Sequence, residues 1–323
     1  MATPASDLPF NSLANRLRPA PRSSWVWSIL KRLFLPRHAL QVWRLERSRK
    51  QRNTVFDDSQ LLFYAEFLPS GFLHYGYFDE PNLPPEQISL GALEQAQRRY
   101  ADKLLELIRD RQAPVLDVGC GMGGLVRLLS QQGYTPVALT PDRSQAANMK
   151  AQFPNIELIE SKFENIPVEG QLVRYGTVIT SESFQYLKMQ EALPLIRKLL
   201  RPGGRWIVCD YFRLEESTAS SGHLWRDFAA ALEQHGLRIV HQEDITPHVL
   251  PTLAFARLMA SRLALPLKNF AVRKLRAKHP GLHYACAEAL AAADERLEAS
   301  MVSIDPRAFA LRKRYLLLAL EAA

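Results

Sequence analysis

The spacing of apolar positions divides most of the chain into short strands and amphipathic helices. An apolar run at 114–118 leads into a glycine-rich turn, and helical spacing begins directly behind it at 125–129. Further apolar runs lie at 135–139, 157–160, 177–180, 205–209 and 237–241, with helical stretches at 88–109, 190–200 and 224–235. Strands that alternate with helices predict a parallel α/β sheet.

Proline and glycine mark the boundaries of these elements. Thr140-Pro141 has the residue types of an N-cap followed by a first-turn proline, so a helix is predicted to begin there. Arg201-Pro202-Gly203-Gly204 predicts a turn before the strand at 205–209. Gly236 is placed to end the helix at 224–235, before the strand at 237–241.

The C-terminal third changes pattern. Helical periodicity runs over 251–265, 269–278 and 284–301, and Asp305-Pro306 opens a short helix. The apolar run at 313–320 fits either a continuation of that helix or a buried last strand, and periodicity does not separate the two.

The N-terminal segment differs in composition and charge. Residues 1–22 show no periodicity and are predicted to be disordered, whereas apolar residues from Trp25 onward occupy one helix face until Pro36. The first 52 residues hold eleven Lys and Arg against two acids, within a net charge of +8. Two interpretations of 24–50 stay open: a basic amphipathic helix on an anionic membrane surface, or an extension that covers a substrate pocket. Nucleic-acid binding is not favoured, because no known binding module accompanies the charge.

Composition narrows the class of protein. The three cysteines are far apart and odd in number, which argues against a disulfide framework and for a reducing compartment. No Cys or His spacing suits a metal, so no metal site is predicted. The sequence has neither a signal-peptide pattern nor an apolar run long enough to span a bilayer. These features predict a cytoplasmic protein, with a peripheral position at the inner face of a membrane as the variant that 24–50 would allow.

The run Val115-Leu116-Asp117-Val118-Gly119-Cys120-Gly121-Met122-Gly123-Gly124 is the most specific motif. It resembles motif I of class I S-adenosylmethionine-dependent methyltransferases. Leu199 to Gly204 is similar to the family's turn before strand five. His74-Tyr75-Gly76-Tyr77-Phe78 resembles the segment that folds over the cofactor in the subgroup of cyclopropane-fatty-acid synthases and small-molecule methyltransferases.

The resemblance implies a doubly wound, Rossmann-like α/β fold with a seven-stranded sheet whose last strand is antiparallel. On that basis we assign 313–320 to the last strand. The predicted organisation is a disordered basic arm (1–22), an amphipathic helical extension (23–55), the methyltransferase domain (56–247), a helical cap insertion (248–305) and the final helix and strand (306–323).

The resemblance also implies S-adenosyl-L-methionine as cofactor. Asp117 is expected to accept from its amino group or to brace the loop, and the loop of Gly119, Cys120, Gly121 and Gly123 to contact its methionyl part. His74 and Tyr75 are expected to close over its carboxylate.

The nucleoside end departs from the family. Thr140 and Pro141 replace the acid after strand two, and Arg143 stands where the subgroup has glutamine, with Gln145 just beyond. Phe163 remains to stack on adenine, Ser181 is assigned to the same site, and Gly176 replaces an acid before strand four.

Residues after strands four and five are expected to face the acceptor, since ligands of open α/β sheets bind at the carboxyl ends of strands. Candidates for a general base are Glu182, then His223 and His241, each with a structural role as the alternative. The predicted reaction is methyl transfer to carbon, nitrogen or oxygen of a small apolar or lipid-like acceptor, enclosed by apolar faces of the cap that include Leu263 and Phe270. Two alternatives remain: a noncatalytic methyltransferase-like protein that binds a partner or membrane, and cyclopropanation of a lipid.

Overall fold

The computed structural model describes residues 34–38, 40–41, 43–44, 47, 70–166, 175–216 and 221–323. The chain divides into two compact units, Met1–Val55 and Phe56–Ala323. In the first unit the described residues are mostly helical, and they expose Phe34, Leu40 and Trp43, with the Arg47 guanidinium 5.1 Å from the centre of the Trp43 ring. The predicted disordered arm at 1–22 and most of the extension at 23–55 lie outside the described residues.

The second unit is built on a mixed sheet of seven strands, counted over its described part, in the order β3-β2-β1-β4-β5-β7-β6. The strands are β1 (Val115–Val118), β2 (Pro136–Leu139), β3 (Glu157–Ile159), β4 (Tyr175–Ser181), β5 (Leu200–Arg213), β6 (Leu237–Asp244) and β7 (Lys313–Ala322). The first five are parallel, and β7 lies antiparallel between β5 and β6. The predicted doubly wound, Rossmann-like fold with an antiparallel last strand is confirmed.

Ten α-helices are described in this unit, and several of them cover both faces of the sheet. They are α1 (Leu90–Glu106), α2 (Gly124–Gln131), α3 (Arg143–Gln152), α4 (Met189–Leu199), α5 (Trp225–Gln234), α6 (Thr246–Met259), α7 (Leu265–Lys278), α8 (Pro280–Ala285), α9 (Ala287–Ser303) and α10 (Pro306–Arg312). One face packs on α4 and α5 around the fully buried Trp206, whose indole N–H donates to Thr180 Oγ1 at 3.0 Å. The other packs on α1, α2 and α6. Strands covered on both faces are mostly apolar, which explains why β1, apart from Asp117, and β2 lack polar alternation.

The 313–320 run forms a strand, which settles the ambiguity in its periodicity. Residues Tyr315 to Leu320 are buried, with β5 on one side and β6 on the other. The short helix before it begins as predicted, since the Asp305 carboxylate accepts the N–H groups of Arg307 and Ala308, each at 2.9 Å. Pairing with β5 and β6 therefore decides between helix and strand for this run, which local periodicity could not do.

Two predicted boundaries are wrong. The N-cap of α3 is Asp142, which accepts the Gln145 N–H at 2.8 Å, while Thr140 Oγ1 accepts the Asp142 N–H. The expected turn at 201–204 lies within β5 as an irregularity, where pairing passes from Tyr175↔Leu200 to Thr177↔Arg205. Gly203, at φ 73°, provides the left-handed residue that this bulge needs.

The predicted break between 265 and 269 is also wrong, because one helix runs from α6 into α7 through a π turn at Ala260–Ala264. The wide turn directly precedes Pro266, whose ring would otherwise crowd the carbonyl four residues earlier. Within this continuous helix, α6 buries Val249, Leu253 and Phe255. The helices α7, α8 and α9, all inside the described range, bury no side chain.

Gly176 shows why this chain lacks the acid expected before strand four. A Cβ on Gly176 would lie 2.4 Å from the Ala113 Cβ. We expect Gly176→Ala to lower the free energy of unfolding by roughly 1–3 kcal/mol through overpacking, measured by urea denaturation.

The matched control is Gly281→Ala in α8, where an added Cβ meets no atom within 4 Å. Its stability should be unchanged or slightly raised. Adding Ala113→Gly to Gly176→Ala should restore most of the loss. A Gly176→Ala protein as stable as wild type would contradict the packing argument.

Candidate active site

A cavity of about 680 Å³ opens at the carboxyl ends of β1, β2 and β4. Its walls come from five places in the chain: residues 71–74, the glycine loop after β1, the turn after β2, the 3₁₀ turn at Phe163–Asn165, and the end of β4 with the segment to Glu191. Ligands of open α/β sheets bind at this edge, where the strand order reverses direction.

The glycine loop needs glycine for both conformation and space. Gly119, Gly121 and Gly123 have φ of 82°, 54° and 87°. A Cβ on Gly119 would lie 2.7 Å from the Ser183 Cβ, and one on Gly123 would lie 2.6 Å from Met149 Sδ. The loop therefore presents backbone to the cavity, and Gly119 and Cys120 donate their N–H groups to the Leu139 carbonyl. Burial raises the pKa of the Cys120 thiol, which keeps it neutral.

Asp117 is a buried carboxylate with unused hydrogen-bonding capacity. It is the third residue of β1, between Leu116 and Val118, and lines the cavity. Its Oδ2 atom has no hydrogen-bond partner among the described residues. Burial raises its pKa to about 7, so the carboxyl group takes up a proton readily unless a cation is close by.

His74 lies in the aromatic segment (residues 71–78) with its ring stacked on Tyr100, at 4.1 Å between ring centres. Its Nδ1 lies 2.7 Å from the Tyr75 carbonyl oxygen, which can only accept, so Nδ1 carries the proton. Nε2 is thus an acceptor, and no partner for it occurs in the described part of the chain. Burial lowers the pKa of His74 to about 4, so the ring is neutral at pH 7.

The aromatic segment is irregular but firmly anchored. The Gln97 side chain donates to the His74 carbonyl at 2.7 Å, and the Tyr77 N–H donates to Ala96 at 2.8 Å, both in α1. From the other side, α6 accepts the Gly76 N–H at Thr252 Oγ1. His248, also in α6, accepts the Phe78 N–H at its carbonyl and stacks on Tyr77. The segment is therefore held between two helices that are distant in sequence.

Glu182 directly follows β4 and has φ 52°, the single non-glycine residue with positive φ in the described ranges. Such a conformation is strained and persists only where surrounding contacts fix it. The Glu182 N–H donates to Cys209, and Oε1 accepts the Tyr75 N–H at 2.7 Å and the Tyr315 hydroxyl at 2.5 Å. Burial raises the pKa of Glu182 to about 7, although these two hydrogen bonds lower it.

Behind Glu182, tyrosine hydroxyls form a buried network. The Tyr100 hydroxyl lies 3.1 Å from those of Tyr315 and Ser181 and donates to the Cys209 carbonyl. Burial raises the pKa values of Tyr100 and Tyr315, so both stay neutral donors. This network connects α1, β4, β5 and β7 at the cavity wall.

Only some of the residues predicted to contact the nucleoside line the cavity. Thr140, Pro141 and the buried Phe163 line the cavity, whereas Arg143 is exposed and outside the lining. Asp142 and Gln145 line it instead, and the Gln145 side chain accepts from Thr140 Oγ1 at 2.8 Å. An acid is therefore present beside β2, two residues later than the family spacing. The Asp-x-x-Gln spacing of a capping box is the sequence signal that indicates both residues.

Most of the other predicted residues are placed in two groups. Ser181, Glu182 and the loop residues Gly119, Cys120 and Gly121 line the cavity together with His74 and Asp117. Gly123 and the Tyr75 side chain do not, since Gly123 caps α2 and the Tyr75 ring packs on Phe309 and Tyr315.

Neither histidine candidate for a base reaches the cavity. The His223 ring packs on Phe184 and its Nε2 bonds the Phe184 carbonyl at 3.0 Å, which fixes the 3₁₀ turn at Phe184–Tyr186. His241 lies on β6, beside Glu243.

Asp210 braces the same 3₁₀ turn as His223, because its carboxylate accepts the N–H groups of Gln185 and Tyr211. Sequence reasoning missed four lining residues that no motif marks: Asn165 and Gln185 in 3₁₀ turns, Lys188 before α4 and Glu191 in its first turn.

The expectation that the cap encloses the acceptor is not met. Residues 248–305 are fully described, yet none of them lines the cavity. Their buried side chains pack instead on the back of the aromatic segment, where Phe255 contacts a cluster containing Phe78 and Ala96. Leu263 and Phe270 are exposed.

In the described ranges, no three His, Cys, Asp or Glu side chains are grouped closely enough to hold a metal ion.

Comparisons with known proteins agree with this geometry. A family described as a methyltransferase domain matches residues 92–246. An uncharacterized methyltransferase of Alkaliphilus oremlandii is 29% identical over 118 residues, which are 35% of this chain and 53% of the relative. One from Mycobacterium tuberculosis is 27% identical over 60% of this chain and 86% of its own length.

Solved structures share the fold at low identity. A geranyl diphosphate C-methyltransferase from Streptomyces coelicolor superposes with a TM-score of 0.58 at 15% identity, over 85% of this chain and 96% of that one. A cyclopropane synthase from Mycobacterium tuberculosis superposes with a TM-score of 0.56 at 15% identity, over 78% and 90%. The chain therefore carries a methyltransferase domain at residues 92–246.

Proposed function

We propose that this protein binds S-adenosyl-L-methionine in the 680 Å³ cavity and transfers its methyl group to a small apolar or lipid-like acceptor. The observation that carries the proposal is that two buried carboxyl groups line the same cavity. Asp117 has an oxygen without a described partner, and Glu182 is held by the aromatic segment and β7.

The residues present fit the amino-acid end of such a cofactor. The Asp117 carboxylate is suited to accept from an ammonium group, and the glycine loop allows close approach of a ligand to backbone. His74 Nε2 offers a lone pair, so this ring suits an N–H donor rather than the carboxylate first expected there. Both acceptors are buried and no described residue donates to them. Such unsatisfied acceptors cost free energy, which a ligand that donates hydrogen bonds to them would recover.

The other end of the cavity suits a nucleoside. The Asp142 and Gln145 side chains offer oxygens beside β2, where ribose hydroxyls would need acceptors. The Phe163 ring is suited to stacking against a base. Lys162, which precedes it in the chain, also lines this wall.

The proposed reaction assigns a role to Glu182, which lines the same cavity as both groups of cofactor-contact candidates. When bound, S-adenosylmethionine supplies an electrophilic methyl group on a sulfonium, which leaves as a thioether when the acceptor takes the methyl group. Alignment of the acceptor in the cavity provides most of the rate enhancement of such a displacement. Where the acceptor atom loses a proton, Glu182 accepts it, and a pKa of about 7 suits a base that works near neutral pH.

The acceptor class rests on the apolar and aromatic part of the cavity wall. Leu73, Leu187 and the largely exposed Tyr186 line the cavity together with Glu182. Such walls favour an apolar acceptor with few polar groups. Two of the similar proteins support this class by name: a ubiquinone/menaquinone biosynthesis C-methyltransferase of Campylobacter jejuni and the geranyl diphosphate C-methyltransferase. Product analysis distinguishes methylation of carbon, nitrogen and oxygen.

A product screen tests the reaction. The protein is incubated with methyl-labelled S-adenosylmethionine and a panel of phenols, quinols, isoprenoids, amines and unsaturated phospholipids, and solvent-extractable label is measured. A labelled product that keeps its double bonds supports methylation, whereas loss of a double bond indicates cyclopropanation. Binding without product from any apolar acceptor would overturn the acceptor class, and absence of binding would favour a noncatalytic protein.

Asp117→Asn should weaken binding of S-adenosylmethionine by roughly 100-fold, because a neutral amide replaces the partner of an ammonium group. Isothermal titration measures the affinity. For wild type, affinity should fall as pH decreases through about 7, since protonation neutralises the Asp117 carboxylate. The variant should lack this dependence.

The control for this experiment is Asp102→Asn, an equally conservative change at a partly exposed residue of α1, outside the cavity. It should bind as wild type does. Equal affinities of Asp117→Asn and wild type across pH would refute the assignment of Asp117 to the cofactor.

Glu182→Gln should retain affinity for S-adenosylhomocysteine but lower turnover by roughly 10²–10⁴-fold where the acceptor loses a proton. Because a base must be ionised, wild-type turnover should rise with pH through about 7. Tyr315→Phe removes a hydrogen bond that lowers the pKa of Glu182, so its rising limb should move to higher pH.

Tyr284→Phe removes the hydroxyl of a tyrosine that is 84% exposed and serves as the control, with an unchanged pH profile. A Tyr315→Phe profile that coincides with wild type would show that Glu182 does not set the rate.

A further inference from the structure

The outer part of the C-terminal insertion folds as a helical hairpin that the proposed chemistry does not use. This hairpin (residues 260–303) comprises the π turn, α7, α8 and α9, and it buries no side chain. An ion pair between Lys268 of α7 and Asp294 of α9 joins its two long helices. Since packing on the body does not explain its outer face, another partner is needed to explain the composition of that face.

Apolar side chains form a stripe on this outer face. Leu263, Leu267 and Phe270 are 56%, 62% and 61% exposed, and their spacing of four and three residues places them on one side of the helix. Lys274 continues the same stripe, with its ammonium group 5.6 Å from the centre of the Phe270 ring. Beyond the end of α7, Tyr284 is 84% exposed. Large apolar groups clustered on an exposed helix mark an interaction surface.

The charges of the hairpin are segregated. Between residues 260 and 286 the chain has six Lys and Arg and no acid, whereas all four acids of the hairpin, Glu288, Asp294, Glu295 and Glu298, belong to α9. Arg262 pairs with Glu86, and Lys268 with Asp294. The remaining four cations, Arg273, Lys274, Arg276 and Lys278, form no ion pair with a carboxylate in the described ranges.

We infer that α7 and α8 dock on the surface of an anionic phospholipid bilayer. Such a surface provides negative charge for the four cations and an apolar phase for the Leu263, Leu267 and Phe270 stripe. A nucleic acid would match the cations alone. No helix in the described residues is long and apolar enough to cross a bilayer, so the contact is one in which helices lie on the surface. The inference is independent of the proposed methyl transfer.

Vesicle co-sedimentation of the full chain tests this docking. Wild type should bind vesicles containing phosphatidylglycerol in phosphatidylcholine, bind pure phosphatidylcholine vesicles at least tenfold more weakly, and dissociate as salt is raised. The variant Arg273→Gln/Lys274→Gln/Arg276→Gln/Lys278→Gln should bind the anionic vesicles at least tenfold more weakly than wild type. Leu267→Gln/Phe270→Gln should also weaken binding, because less apolar surface is inserted.

Matched controls separate a docking face from general charge and hydrophobicity. Arg98→Gln/Lys150→Gln/Lys198→Gln/Arg238→Gln removes four exposed cations elsewhere on the same unit, and Leu311→Gln removes a leucine that is 78% exposed on α10. Both should bind within twofold of wild type. Circular dichroism and thermal unfolding verify that each variant is folded.

Three results would overturn the inference. They are wild type that does not bind anionic vesicles, hairpin variants that bind them as wild type does, and a charge control that loses as much binding as the hairpin variant. A change in mass by light scattering in the hairpin variants, with vesicle binding unaffected, would instead identify a face for a second copy of the chain.

Discussion

The carboxylate of Glu182 is the contact on which the site depends. Its Oε1 accepts from the backbone of Tyr75 and from the hydroxyl of Tyr315, while its own N–H donates to Cys209. Three segments far apart in sequence therefore meet at one residue, and their contacts hold it at φ 52°. A strained backbone fixed by several partners cannot relax when a ligand enters, which keeps the carboxyl group in place.

Buried acids give the cavity its chemical character. Desolvation raises the pKa values of Asp117 and Glu182 to about 7, and that of Asp210 to about 8. Asp210 is fully engaged with backbone N–H groups and braces a turn, whereas Asp117 keeps an oxygen without a described partner. Under the proposed function, the same residue type thus serves structure in one place and ligand recognition in the other, and hydrogen-bond saturation distinguishes the two roles.

The C-terminal insertion divides into two parts with different work. The inner helix α6 holds the aromatic segment through Thr252 and His248, so it positions a wall of the cavity without lining it. The outer hairpin exposes both its cations and its apolar stripe. Because one helix runs from α6 into α7, docking of the hairpin on a bilayer would also fix the orientation of the cavity relative to that surface.

The sequence by itself determined the α/β class, the glycine loop and the position of Asp117, because strand periodicity and the conformational needs of glycine are local properties. Only the tertiary structure decided that 313–322 is a strand, since its partners β5 and β6 are remote in sequence. It also placed Gln145 rather than Arg143 in the cavity wall and kept His223 and His241 away from the cavity. No residue of the expected cap at 248–305 lines the cavity. Those outcomes depend on which side chains approach across the fold, and spacing along one chain does not encode that distance.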